Sequence, residues 1–158
     1  MSSAEDLEAA LAGFGDGDTI KLTASITYDK GIVLSGKSLT FDVDTYTLNV
    51  YNNESSGLLV GAGAEVNLIG SGKFIVSGVP CGVKAEGSGA KAEVTGASGS
   101  GSGGIGAYAN QGGQIIVNGD ISGPLGAEAS GEGSRIMITG NVKGTYTHGV
   151  KASHGGKI

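Results

Sequence analysis

Apolar residues recur along most of the chain in pairs that straddle one other residue, with glycine close behind. "QIIVNG" from Gln114 and "RIMITG" from Arg135 are the clearest cases. Alternation with period two marks a strand that buries one face. The residue that opens each such stretch falls at Ile20, Leu39, Val66, Ala92, Ile115, Ile136 and Ile158, at intervals of 19, 27, 26, 23, 21 and 22. Its partner two positions on is Leu22, Phe41, Leu68, Val94, Val117 or Ile138. Two further short segments lie within each period. One is alanine-rich, as in "GVKAEG" from Gly82, "GAYANQG" from Gly106, "GAEASG" from Gly126 and "GVKASHG" from Gly149. The other is shorter, as in "GDISG" from Gly119 and "GNVKG" from Gly140, with Ile121 and Val142 as inward residues. Three short strands joined by glycine turns describe one coil of about 22 residues. Stacked coils set like strands side by side and parallel, ~4.8 Å apart. No coil can bury its inner face alone, so each depends on the next.

The uneven intervals disfavour a left-handed hexapeptide solenoid and predict an all-β, right-handed parallel β-helix. The G-G-x-G-x-D repeat of calcium-binding β-rolls is missing, and glycine does not recur every third residue as in collagen. Residues 1–16 follow a different rule. Leu7, Leu11 and Phe14 are spaced i, i+4, i+7, which is one helix face. Ser2 or Ser3 can cap this helix, with Glu5 or Asp6 three residues on completing a capping box. Gly13 and Gly15 then stop it. The helix is the natural lid for a first coil whose apolar end is open. The expected organisation is a capping helix over 1–16 and one solenoid domain over 17–158, continuing beyond Ile158.

Composition supports the pattern. Glycine supplies 32 of 158 residues and proline 2, yet the regular placement of apolar residues between the glycines separates the chain from a disordered linker. The net charge is −5 and Arg135 is the single arginine. Nucleic acid and anionic membrane surfaces both call for clustered Lys and Arg, so both are poor partners for this chain. No apolar run approaches the ~20 residues of a membrane-spanning helix. The N-terminus lacks the apolar core of a signal peptide. Cys81 is alone, which rules out an intrachain disulfide and fits a small buried filler.

"DLEAALAGFGDGDTIKL", Asp6 to Leu22, resembles the opening segment of pectate-lyase-like right-handed β-helix proteins. Leu7, Ala10, Leu11, Gly17, Asp18, Thr19, Ile20 and Leu22 match its short helix and first strand. The glycine-rich coils also resemble repeat regions of bacterial surface proteins and adhesins. The resemblance implies a secreted or cell-surface protein of polysaccharide-active or adhesive descent. Its motifs are structural, and fold does not dictate function.

The enzymes of that superfamily imply clustered Asp with Arg or Lys nearby. Asp42 and Asp44 in "TFDVDTY" are the candidates for a metal (Ca²⁺) or acid/base pair, on the expectation that both point outward from a strand. The competing reading is a solvated strand face. Asp16 and Asp18 read as turn and cap residues. Arg135 is expected outward beside Gln114 and Lys91, with no Asp column facing it. His148 and His154 lack a third ligand for a metal, and "GSGGIG" from Gly101 lacks the strand-to-helix setting that would make it a phosphate loop. Asn53-Glu54-Ser55 is a glycosylation sequon, relevant only to a eukaryotic secretory route.

Two outward columns follow from the coil alignment. Lys84, Tyr108, Glu128 and Lys151 form the first, a face able to hold a glycan by ring stacking and hydrogen bonds; the competing reading is an ordinary solvated face with charges paired across coils. Asn67, Glu93, Ile116 and Met137 form the second, with two apolar neighbours suited to contact with another chain or domain. The expected function is a structural or adhesive solenoid module that presents flat faces to a polysaccharide or to a host or neighbouring surface protein, with no membrane insertion. The alternatives are a carbohydrate-active enzyme or polysaccharide-binding module, and a unit that self-associates end to end. The balance leans away from an enzyme.

Overall fold

The computed structural model describes residues 1–146 and 148–158. Helix α1 (Ala4–Gly13) precedes six coils of three strands each. The first coil holds β1 (Asp18–Lys21), β2 (Ile26–Tyr28) and β3 (Ile32–Leu34), and the second β4 (Ser38–Asp42), β5 (Thr47–Asn52) and β6 (Leu58–Val60). The third holds β7 (Glu65–Ile69), β8 (Lys73–Gly78) and β9 (Cys81–Glu86), and the fourth β10 (Lys91–Val94), β11 (Gly96–Gly99) and β12 (Ile105–Asn110). The fifth holds β13 (Gln114–Val117), β14 (Ile121–Gly123) and β15 (Leu125–Ser130), and the sixth β16 (Arg135–Ile138), β17 (Val142–Gly144) and β18 (Val150–Ser153). Corresponding strands stack into three six-stranded parallel sheets, so the chain is a parallel β-solenoid of about six turns.

The expected alignment of coils holds from the second coil onward: Leu39, Val66, Ala92, Ile115 and Ile136 occupy one ladder position. The first coil is shifted by two. Ile20 pairs with Phe41, and Asp18 takes the position opposite Leu39, so the first interval is 21 residues rather than 19. An apolar residue is not needed at that place, because the Asp18 carboxylate accepts the Gly15 amide at 2.6 Å where the chain leaves α1.

The N-terminal cap resolves in favour of Ser3. Its hydroxyl accepts the Asp6 amide at 3.1 Å. The Asp6 carboxylate accepts from the backbone and hydroxyl of Ser2, and the backbone bond is the first cause holding its carboxyl below the usual range. The helix ends on Gly13, with Phe14 leaving in extended backbone, so no left-handed glycine cap is used. Leu7 is fully buried, and Ala10, Leu11 and Phe14 pack against the same core. The helix is a lid.

Inside, Leu, Ile, Val and Phe fill the first three coils, with Phe41 and Phe74 in contact at 5.0 Å between ring centres. Alanine takes over in the third sheet, where Ala107, Ala109, Ala127 and Ala129 are fully buried. Space there is short because the second and third sheets meet at a tight corner. Gly82, Gly106 and Gly126 share one ladder position on that corner. A Cβ on Gly82 would lie 2.6 Å from the Ser98 nitrogen and 2.7 Å from the carbonyl oxygens of Ser98 and Gly106.

Candidate functional site

The first predicted column is assembled by the ladder of the third sheet. Lys84 pairs with Tyr108, Tyr108 with Glu128, and Glu128 with Lys151. Part of the column is internally paired: Lys84 forms an ion pair with Glu86 at 2.6 Å and lies 5.8 Å from the Tyr108 ring centre, while Lys151 donates to Glu128 at 2.8 Å. Partial burial, then the Glu128 charge, raise the Tyr108 hydroxyl above its ordinary pKa. The hydrogen bond to Glu128 raises the Lys151 ammonium. Lys151 reaches across coils to one Glu128 oxygen, which leaves the second carboxylate oxygen and two ammonium protons for other partners.

Asp42 and Asp44 come to lie in different settings. Strand β4 ends at Asp42, and Asp44 follows in a turn with φ +49°. The left-handed backbone at Asp44 takes it off the strand face expected from the alternation. One Asp42 oxygen is 3.4 Å from the Lys21 ammonium and the other accepts the Asp44 amide at 3.0 Å. The Asp44 carbonyl accepts the amides of Ser71 and Gly72. Both Asp42 carboxylate oxygens are thus engaged within the protein, while at Asp44 the engaged oxygen is the backbone carbonyl. Among the described residues, no group of three or more His, Cys, Asp and Glu side chains is placed to hold a metal.

Asp16 and Asp18 act as turn residues: Asp16 accepts the Ser38 amide at 2.7 Å. Arg135 lies in one outward column with Glu65, Lys91 and Gln114. His148 and His154 are exposed, the latter in a left-handed turn. Cys81 is buried at the start of β9, and burial pushes its thiol pKa up. In the second predicted column, Glu93, Ile116 and Met137 are ladder neighbours, and Asn118 donates to Glu93 at 2.9 Å.

A large hollow lies elsewhere, on the outside of the corner between the second and third sheets. Its origin is a difference in connection length. Five residues, 100–104, join β11 to β12 in the fourth coil. Pro124 alone joins β14 to β15 in the fifth, and residues 145–149 join β17 to β18 in the sixth. A short corner between two long ones leaves a groove of about 1060 Å³. Ile105, Pro124 and Leu125 give it an apolar lining, and Glu128 reaches it from the third-sheet face. Ser98 and Ser122, whose hydroxyls are 3.1 Å apart, line it with Lys143, which continues their ladder. Tyr146 stands on the rim with 86% of its surface exposed.

No protein-family model, curated protein or solved structure matches this chain. What the structure supports of the resemblance to pectate-lyase-like and adhesin coils is therefore the solenoid itself.

Reading outward columns could not find this groove. Tyr146 belongs to a connection rather than a strand, so no periodicity marks it. The available signal was the contrast between "SGSGSGGIG" and "SGPLG" after equivalent strands, which sets a long corner beside a short one.

Proposed function

We propose that this solenoid is a structural and adhesive module of a secreted or cell-surface protein, and that it holds a saccharide chain in the groove between its second and third sheets. The observation that carries the reading is the lining: one exposed aromatic ring, paired serine hydroxyls, a lysine, a carboxylate and an apolar floor. Sugars present apolar ring faces and dense hydroxyls, which an aromatic side chain and a few fixed polar groups together complement. The stacked coils supply a stiff platform whose cross-coil pairs, such as Glu65–Lys91 at 2.5 Å, hold neighbouring rungs in place.

The test is a polysaccharide panel presented to the purified protein with and without calcium, reading binding and product release together. Retention without release, unaffected by calcium, is the expected result. Release of sugar fragments would replace this reading with the pectate-lyase-like enzymatic alternative. No retention on any polysaccharide would overturn the saccharide assignment.

A further inference from the structure

A second feature, separate from the groove, lies at the corner between the third and first sheets in the last coils. The outward column Glu65–Lys91–Gln114–Arg135 is extended by Lys157, which bridges to Arg135 as its parallel neighbour. The Arg135 backbone is fixed to Gly113 at 3.0 Å and that of Lys157 to Ser134 at 3.0 Å, so the two side chains spring from adjacent, rigid rungs. Earlier in the same column Lys91 faces a carboxylate, Glu65, at 2.5 Å. Lys21 faces Asp42 on the same sheet, and Lys151 faces Glu128 on the third. Arg135 and Lys157 instead set cation beside cation, one rung (~4.8 Å) apart. Like charges in directly opposed positions repel. Among the described residues, neither has a carboxylate within ion-pairing distance.

These two cations line a hollow of about 650 Å³ with Gln114, Ser134, His154 and Glu132. Glu132 is its one carboxylate. Gln114 adds an amide donor on the rung below. A chain of net charge −5 with a single arginine thus concentrates two unpaired cations and a neutral donor in one column.

We propose that Arg135 and Lys157 bind an oxyanion, a single sulfate or carboxylate group, across the last two rungs of the first sheet. The planar guanidinium offers two parallel N–H donors to such a group, the ammonium supplies a second charge, and Gln114 donates from the side. Binding replaces the repulsion between neighbouring cations with two charge-assisted contacts.

The test is a titration of the ¹⁵N-labelled protein with sodium sulfate and, separately, sodium acetate, at ionic strength held constant with sodium chloride. Saturable shifts of the Gln114, Arg135, Ile136 and Lys157 amides are expected with at least one of the two, and whichever saturates names the group. Arg135→Gln and Lys157→Gln should each weaken binding by about tenfold or more, as expected for loss of a charge-assisted hydrogen bond. Lys91→Gln, which removes a cation already paired with Glu65, should leave it unchanged, as should Tyr146→Ala in the groove. Shifts that rise linearly with both salts, or saturable shifts that survive Arg135→Gln, would overturn the assignment.

Discussion

Gly82→Ala adds one methyl group at the corner where the third sheet folds back against the second. The backbone there is not in the left-handed region, so the substitution costs nothing in φ; the question is purely one of space. The three atoms nearest the new Cβ, the Ser98 nitrogen at 2.6 Å and the Ser98 and Gly106 oxygens at 2.7 Å, are all backbone. None can swing aside without moving a strand that is itself bonded to both neighbours. Overpacking a tight interior costs ~1–3 kcal/mol and occasionally more. With three backbone collisions and no flexible side chain among them, the expected loss is about 3 kcal/mol. At ~2–4 °C per kcal/mol for a chain of this size, Tm falls by roughly 6–12 °C.

Two controls make the same chemical change for different physical reasons. Gly13→Ala meets nothing within 4 Å at the end of α1 and should gain about 0.4–1 kcal/mol by restricting the unfolded chain. Gly103→Ala also meets nothing, but its φ is +81°, and an L-residue held there costs ~1–2 kcal/mol. Urea midpoints at matched slope compare the three. A Gly82→Ala variant within about 0.5 kcal/mol of the parent, the range of ordinary surface substitutions, would refute the close approach of the two sheets.

Phe74→Ala, which empties a fully buried site, should cost about 3–5 kcal/mol. A double-mutant cycle with Phe41→Ala should return a coupling of ~0.5–1.5 kcal/mol for the tilted ring pair. Ser3→Ala removes the oxygen that accepts the Asp6 amide and should cost about 1 kcal/mol, read by the same denaturation assay. Burial raises the Cys81 thiol pKa, with Lys84 partly opposing it. The linked stability is fully present below the unfolded thiol pKa of about 8.5 and is lost as pH rises toward the higher folded value. Stability measured from neutral pH upward should therefore decline above about pH 8.5, and Cys81→Ala should flatten that first part of the decline.

Much of the fold was legible because each rung repeats a period-two pattern, and stacking reads that pattern coil after coil. Leu39 to Ile136 could be aligned by eye, and with them the neighbours Lys84, Tyr108, Glu128 and Lys151. The first coil misled because Asp18, serving the exit of α1, stands where an apolar residue was sought, and Ile20 two places on looked like the opening residue. The Asp42–Asp44 spacing runs past the strand it was read from. Alternation says where side chains point only while the strand lasts, and Asp44 turns left-handed just past its end. Ladder neighbours do not reveal what their side chains hold, so the sequence could not show that Lys84 and Lys151 spend their charges on Glu86 and Glu128. Nor does strand periodicity describe corners. The groove comes from Pro124 standing alone between two five-residue connections, a difference in length rather than in pattern.

The proposed saccharide has two candidate seats: the groove with Tyr146, or the flat third-sheet face with Tyr108. The most direct measurement compares retention of the parent, Tyr146→Ala and Tyr108→Ala on the same immobilised panel of plant, bacterial and animal polysaccharides. Truncating an aromatic ring that stacks on a ligand commonly costs more than 1 kcal/mol of binding, roughly a factor of five to ten. The account predicts that loss for Tyr146→Ala, with Tyr108→Ala close to the parent. Unchanged retention in Tyr146→Ala together with loss in Tyr108→Ala would contradict it and return the site to the flat face.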